Sequence, residues 1–388
     1  MKITKKFMQV MRFSHLWLGL LTGIIVVIIS LTGCIYVFEK EIREYLDKDY
    51  AFVPARQEPQ ASLGLLLKGF EKMAPDQKIT SITIRHTEPN ATVAINTKEH
   101  LVYYLNPYNG QLVKKSELDF LHTVEEIHTS LLLGDQGKFI IRWSVVIFVL
   151  MLITGLVLWF PAQMRLLKQA FTIKWKGSIK RINYDLHNVL GFYASGILLV
   201  ISLSGLYFGF KEVKTAVSFF SGSKLTEGKK AAPTIQADTA SSIPERYEHM
   251  YQKAMVQFPG ASLTTLSIRK DGSIRLRLNY PTEWARKRNT FFYNSENGQL
   301  IRSKLYKDFN PADTIEASIY DVHTGQFFGL FGKIVATIAS LISASLPITG
   351  FIIWLKKGKK KKKSPKRRLV LSKLQGRIND TLPKREVC

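Results

Sequence analysis

The chain has 388 residues, is 46% apolar and carries a formal net charge of +25. Such a charge suits nucleic acid or a membrane surface, but its Lys and Arg flank apolar runs too long for a soluble core, which argues against nucleic acid. Only two cysteines are present, Cys34 and Cys388; they allow no disulfide framework, no cysteine-based zinc site and no covalent haem attachment, so any haem is non-covalently held.

In chain order, a basic N-terminus (1–15) with Lys2, Lys5, Lys6 and Arg12 precedes a first apolar span at 16–38. A long segment follows at 39–137, then a second span at 138–160 and a basic loop at 161–185 with no acidic residue from Ala162 to Asn183. A third span covers 186–210, a second long segment 211–328, a fourth span 329–355 and a Lys/Arg-rich tail 356–388. Each span reaches the ~20 residues needed to cross a bilayer. Short basic segments stay on the cytoplasmic side, so both termini and the middle loop are expected inside a bacterial inner membrane and the two long segments in the periplasm. The tail is expected to anchor topology on anionic lipid.

Ser30-Leu31-Thr32-Gly33-Cys34 ends the first span and has the form of a lipoprotein cleavage box. The match Ser202-Leu203-Ser204-Gly205 deep in the chain, with Ile-Thr-Gly at 153–155 and 348–350, makes it instead one of four small-residue motifs near span ends, expected to serve close helix packing. Both long segments read as a helix followed by strands. Leu63–Met73 has helical spacing and stops before Pro75; "ITSITIRH", "ATVAIN" and "VYYLNPYNGQLV" read as strands, the last a hairpin turning at Asn109-Gly110. Pro244–Phe258 is the second helix, "TTLSIRKDGSIRLRLNY" a hairpin about Asp271-Gly272, and "TFFYNSENGQLI" repeats the earlier third element. The Ser/Thr/Ala/Lys-rich stretch at 221–242 reads as a flexible linker. The fold class is therefore membrane α-helical, with four transmembrane helices as two duplicated pairs and two small α+β modules outside.

The two halves repeat one unit. His15-x-x-Leu18-Gly19 matches His187-x-x-Leu190-Gly191, and His128-Thr129 matches His323-Thr324, each histidine keeping its spacing to a later glycine or tryptophan. Topology places His15 and His187 at the inner face and His128 and His323 at the outer. Histidine at a membrane boundary needs a partner, and two neutral imidazoles fill both axial positions of a haem iron. His15, Gly19 and Gly23 share one helix face, as do His187, Gly191 and Ser195, leaving room for a flat macrocycle. Arg12 and Arg181 on the inner side and Arg142 on the outer are in reach of propionates. Another metal and a purely structural role are the competing readings of the four histidines; the duplicated spacing favours haem. His122 is a weaker substitute ligand, because its repeat partner is Ala317.

"FSHLWLGLLTG", "VEEIHTSLLLG", "TGLVLWFP", "YDLHNVLGFYAS" and "VHTGQFFGL…ITGFIIWLKK" resemble the PepSY-associated transmembrane proteins, a group with iron-regulated inner-membrane proteins and ferric-siderophore reductases. The resemblance covers roughly residues 8–357. It implies four spans, two PepSY-like periplasmic modules and b-type haems, two on the histidine count. The expected activity is transmembrane electron transfer to the Fe(III) of a ferric siderophore, through haems held by His15/His187 and His128/His323. Without a Rossmann glycine fingerprint, the donor is expected to be quinol or a separate flavoprotein. The rivals are a permease component, disfavoured by the lack of mid-span polar residues, and a periplasmic binding or sensor protein, which would not need the histidines.

Overall fold

A computed structural model of the chain describes residues 5–117, 120–161, 163–230, 242–281 and 286–357. The basic tail beyond Lys357, and residues 231–241 of the expected linker, lie outside these described residues. In chain order, α1 (Lys5–Tyr36) leads to α2 (Glu39–Leu46), α3 (Leu63–Met73), β1 (Ile79–Arg85), β2 (Val93–Thr97), β3 (Leu101–Leu105), β4 (Leu112–Glu117), α4 (Phe120–Ser130) and α5 (Gly134–Trp159). The connection carries α6 (Leu167–Ala170), after which α7 (Ile179–Asp185) runs through a π-helical turn, Leu186–Leu190, into α8 (Gly191–Gly209). Then come α9 (Lys211–Phe220), β5 (Lys229–Lys230), α10 (Ile243–Gln257), β6 (Leu263–Ile268), β7 (Ile274–Asn279), β8 (Arg288–Tyr293), β9 (Leu300–Lys304), α11 (Pro311–Thr324) and α12 (Gly329–Lys357).

Four helical stretches, Lys5–Tyr36, Gly134–Trp159, Ile179–Gly209 and Gln326–Lys356, are long and apolar enough to cross a membrane. They pack as a ring, α1 against α5 and α12, and α8 against the same two. Small residues set the approach: a Cβ on Gly23 would lie 3.1 Å from the Pro347 ring, and one on Gly19 would lie 3.0 Å from the Met151 methyl. Lipid solvates apolar side chains as well as a neighbouring helix does, so this contact rather than hydrophobicity holds the bundle together. Its middle is closed by Val26, Phe148, Leu152, Ala194, Leu198 and Ala339.

The strands form one nine-stranded antiparallel sheet, ordered β4-β3-β2-β1-β6-β7-β8-β9-β5. The two long segments, expected as two separate small modules, are thus joined edge to edge. Ile82 faces Leu266 across the β1–β6 seam, with Ser81 opposite Ser267 and Thr83 opposite Thr265. Two free modules would each present an unpaired edge strand, and pairing β1 with β6 removes both edges. The described start of the expected linker is ordered too: Lys229–Lys230 pair with β9, and Thr226 donates its backbone N–H and its hydroxyl to Asp313.

One face of the sheet buries Ile82, Ile95, Leu105, Leu266, Ile274, Leu276 and Leu278 under Leu67 and Phe70 of α3 and Met250 of α10, as period-two alternation requires. The other face carries Ser81, Thr83, Thr265, Ser267, Arg275 and Arg277. The helix α11 is pinned to the sheet's β8–β9 end, where Arg286 forms a fork with both oxygens of Asp321 and Lys304 reaches Asp313 and Glu316.

Two tight reversals carry α4 into α5 and α11 into α12. Gly137 packs on the Ser130 carbonyl and Gly332 on the Gly325 carbonyl so closely that neither position has room for a side chain. In the first reversal Leu131 and Leu132 take φ of 51° and 59°, a left-handed conformation costly for leucine; in the second, Gly325 takes φ of 75°. These corners fix the helices that carry His128 and His323.

Candidate functional site

The four histidines meet as two pairs near opposite ends of the bundle. The rings of His15 on α1 and His187 on the π-helical turn lie 6.3 Å apart, centre to centre, at 87°. Those of His128 on α4 and His323 on α11 lie 6.2 Å apart at 62°. A metal–imidazole bond of about 2.0 Å, plus roughly 1.1 Å from nitrogen to ring centre, puts two imidazoles on opposite sides of one metal about 6.2 Å apart. Both separations therefore fit a metal held between the rings. A π-helical turn under His187 is the kind of irregularity found where a side chain must be re-aimed.

Each histidine is fixed by a hydroxyl–glycine pair on a neighbouring span. His15 Nδ1 lies 3.0 Å from Thr154 Oγ1, His187 Nδ1 2.9 Å from Thr349 Oγ1, His128 Nδ1 3.2 Å from Thr32 Oγ1 and His323 Nδ1 3.0 Å from Ser204 Oγ. Every one of these hydroxyls donates its own proton to backbone carbonyls three or four residues back. It can then only accept from the imidazole, so Nδ1 carries the proton. The carbonyls of Leu346, Ile29 and Ile201, which can only accept, lie 2.9–3.1 Å from the Nδ1 atoms of His187, His128 and His323 and reinforce this. In a neutral imidazole with Nδ1–H fixed, Nε2 presents the lone pair. All four rings are thus held in the metal-ligating tautomer by an outer layer of acceptors.

The following glycine lets the Cε1 edge of the ring come close to its helix. A Cβ on Gly155, Gly350, Gly33 or Gly205 would sit 3.1–3.3 Å from Cε1 of His15, His187, His128 or His323. The four motifs expected to be helix-packing devices are thus imidazole seats as well. The sequence signal is only partial: one such motif follows each histidine at fixed spacing, but it seats a different histidine.

A cavity of about 470 Å³ surrounds the His15–His187 pair, lined by Gly19, Gly23, Gly155, Gly191, Ser195 and Gly350 among others. Arg12 lines it. Arg181 does not: Asp185 holds its guanidinium at 2.9 Å and the Tyr184 ring lies beneath it. Arg142 is exposed and lies along the backbone of Gly209. His122 falls outside both pairs, 5.9 Å from the His100 ring. Among the described residues no group of three or more His, Cys, Asp or Glu could hold a bare ion. Two imidazoles beside a glycine-walled cavity suit a metal whose other positions come from a flat macrocycle, so the residues present fit haem.

Removing one of these acceptors is informative. Thr154→Val keeps the shape beside His15 but removes the acceptor for its Nδ1–H. For a haem held by this pair, affinity should fall about 10–100-fold, read by haem retention on dilution, with no change expected at the His128–His323 pair.

Four membrane-length helices, a histidine pair toward each end and a sheet on one end define a membrane protein. The chain matches the PepSY-associated TM region over residues 13–357 and belongs to that family. A comparison with curated proteins gave no match.

Proposed function

We propose that the protein is a di-haem b-type electron carrier of the bacterial inner membrane that reduces the Fe(III) of a ferric siderophore in the periplasm. The observation that carries this reading is the pair of facing-imidazole sites in which all four Nδ1–H groups are committed to acceptors and all four Nε2 atoms are free to ligate. His15 and His187 are the ligands of the inner haem and His128 and His323 those of the outer one. When bound, the two haems supply one-electron transfer between the faces of the membrane. Arg12 stands where it neutralises a propionate at the inner site. Val26, Phe148 and Leu152 form an apolar, buried packing layer in the bundle.

In this reading the termini and the 161–185 loop are cytoplasmic, the sheet is periplasmic, and the chain is two duplicated halves, each giving one ligand to each site. The electron donor is quinol or a separate flavoprotein. Reduction releases iron because Fe(II) binds a hard oxygen cage less tightly than Fe(III). The reduced-minus-oxidised spectrum of the detergent-purified protein tests the reading. A low-spin b-haem signature is expected; a protein that purifies folded without one would sink it.

A further inference from the structure

The polar face of the sheet holds an arginine cluster in which Arg275 donates from Nη2 to Ser267 Oγ at 3.4 Å. Arg275 and Arg277 alternate with the buried Ile274, Leu276 and Leu278 along β7, so both guanidinium groups emerge on the face away from α3 and α10. Their cross-strand neighbours are Ser267 and Phe292 for Arg275, and Thr265 and Thr290 for Arg277. None is acidic. The Nε atoms of both arginines are buried and have no hydrogen-bond partner among the described residues.

The surrounding charges sharpen this. Arg286 is satisfied by Asp321 and by the Tyr320 ring 4.6 Å away. Arg269 and Arg302 lie over the Phe292 ring at 5.5 and 4.3 Å. Burial first, and then the positive charges of Arg288, Arg275, Arg286 and Arg269, lower the Arg277 pKa to about 9. A guanidinium so surrounded is stabilised by an anion brought from outside. Its side chain is only partly buried, which leaves it open to one. The cluster is also close to the outer histidine pair in chain terms. Arg286 grips Asp321, and His323 follows two residues later on the same helix.

We propose that Arg275 and Arg277, flanked by Arg288, are the docking site for a net-anionic, oxygen-donor ferric chelate. The assignment rests on the ferric-reductase reading for its substrate and narrows that substrate to carboxylate- or catecholate-type chelates. Planar guanidinium forks match carboxylate and catecholate oxygens two at a time. The serine and threonine hydroxyls between the arginines offer neutral donors for the remaining oxygens.

The test is equilibrium dialysis of the full-length protein in uncharged detergent against radio-iron-labelled ferric citrate. Arg277→Gln should weaken binding about tenfold or more, and Arg275→Gln with Arg277→Gln should abolish it. Arg277→Lys, which keeps the charge and loses the fork, should bind between Arg277→Gln and the native protein and shows that the fold survives. Cationic ferrioxamine B should not compete. Native-strength binding by Arg277→Gln would overturn the proposal. So would Arg277-dependent binding to phosphatidylglycerol vesicles without binding of ferric citrate, which would assign the face to lipid. The same titration on His128→Ala/His323→Ala separates the two readings. Arg277-dependent binding in a protein lacking any b-haem spectrum keeps the docking site and removes the redox function; haem without such binding does the reverse.

Discussion

His128→Ala should purify with one b-haem per chain in place of two, measured as pyridine haemochromogen against protein. His15→Ala should give the same count with the other redox midpoint remaining, and the double variant should carry none. The expectation follows from how the ligands are shared. Each site takes one imidazole from each half of the chain, 6.2–6.3 Å from its partner, and no other histidine among the described residues joins either pair. His122, six residues before His128, packs against His100 instead. On the proposed assignment, losing one of the two imidazoles would remove half of the protein's bonds to the iron. Full haem in both single variants would refute the ligand assignment.

Gly155→Val should empty the inner site as His15→Ala does, without replacing a ligand. A bare Cβ at this position already stands 3.3 Å from His15 Cε1, tighter than ordinary van der Waals contact. The two further methyl groups of valine cannot be placed without turning the imidazole away from the cavity, because close-packed interiors offer no slack. Gly196→Val is the control. An added Cβ at Gly196 meets nothing within 4 Å, and valine improves on glycine as a helix former, so both haems should stay. A Gly155→Val protein with an unaltered inner haem would show that the glycine does not seat the ring.

Much of this site is legible in the amino-acid sequence. The equal spacing of His15 to Gly33 and His187 to Gly205 singles out four of eight histidines, and sorting Lys and Arg by span pairs them as the fold brings them together. The arginines expected beside a propionate are less legible: Arg12 lines the inner cavity, and Arg181 is instead taken up by Asp185 at i+4, an ion pair that a helix offers wherever the residues permit it. The hydroxyl–glycine motifs are visible in the sequence, but their larger role is not. Spacing along one helix does not reveal that Thr154 reaches a ring 139 residues away. The single sheet is not legible at all. Alternation reports which residues face a core, not which edge strand will find another, so β1 and β6 look like the margins of two domains. The arginines of "SIRLRLNY" disappear into a strand pattern for the same reason: a polar outward face is what a half-buried strand is expected to have.

The division of each site between the two halves also sets a timetable. His15 is synthesised 172 residues before His187, and His128 is synthesised 195 residues before His323. At ribosomal rates of about 5–20 residues per second, the first histidine of either pair waits roughly 10–40 seconds in the membrane for its partner to be made. The β1 edge waits as long for β6. Neither histidine pair can form while the chain is still half made, and the outer one is completed only when α11 has emerged. The nascent first half therefore carries an open strand edge and an unmatched imidazole until the second half arrives.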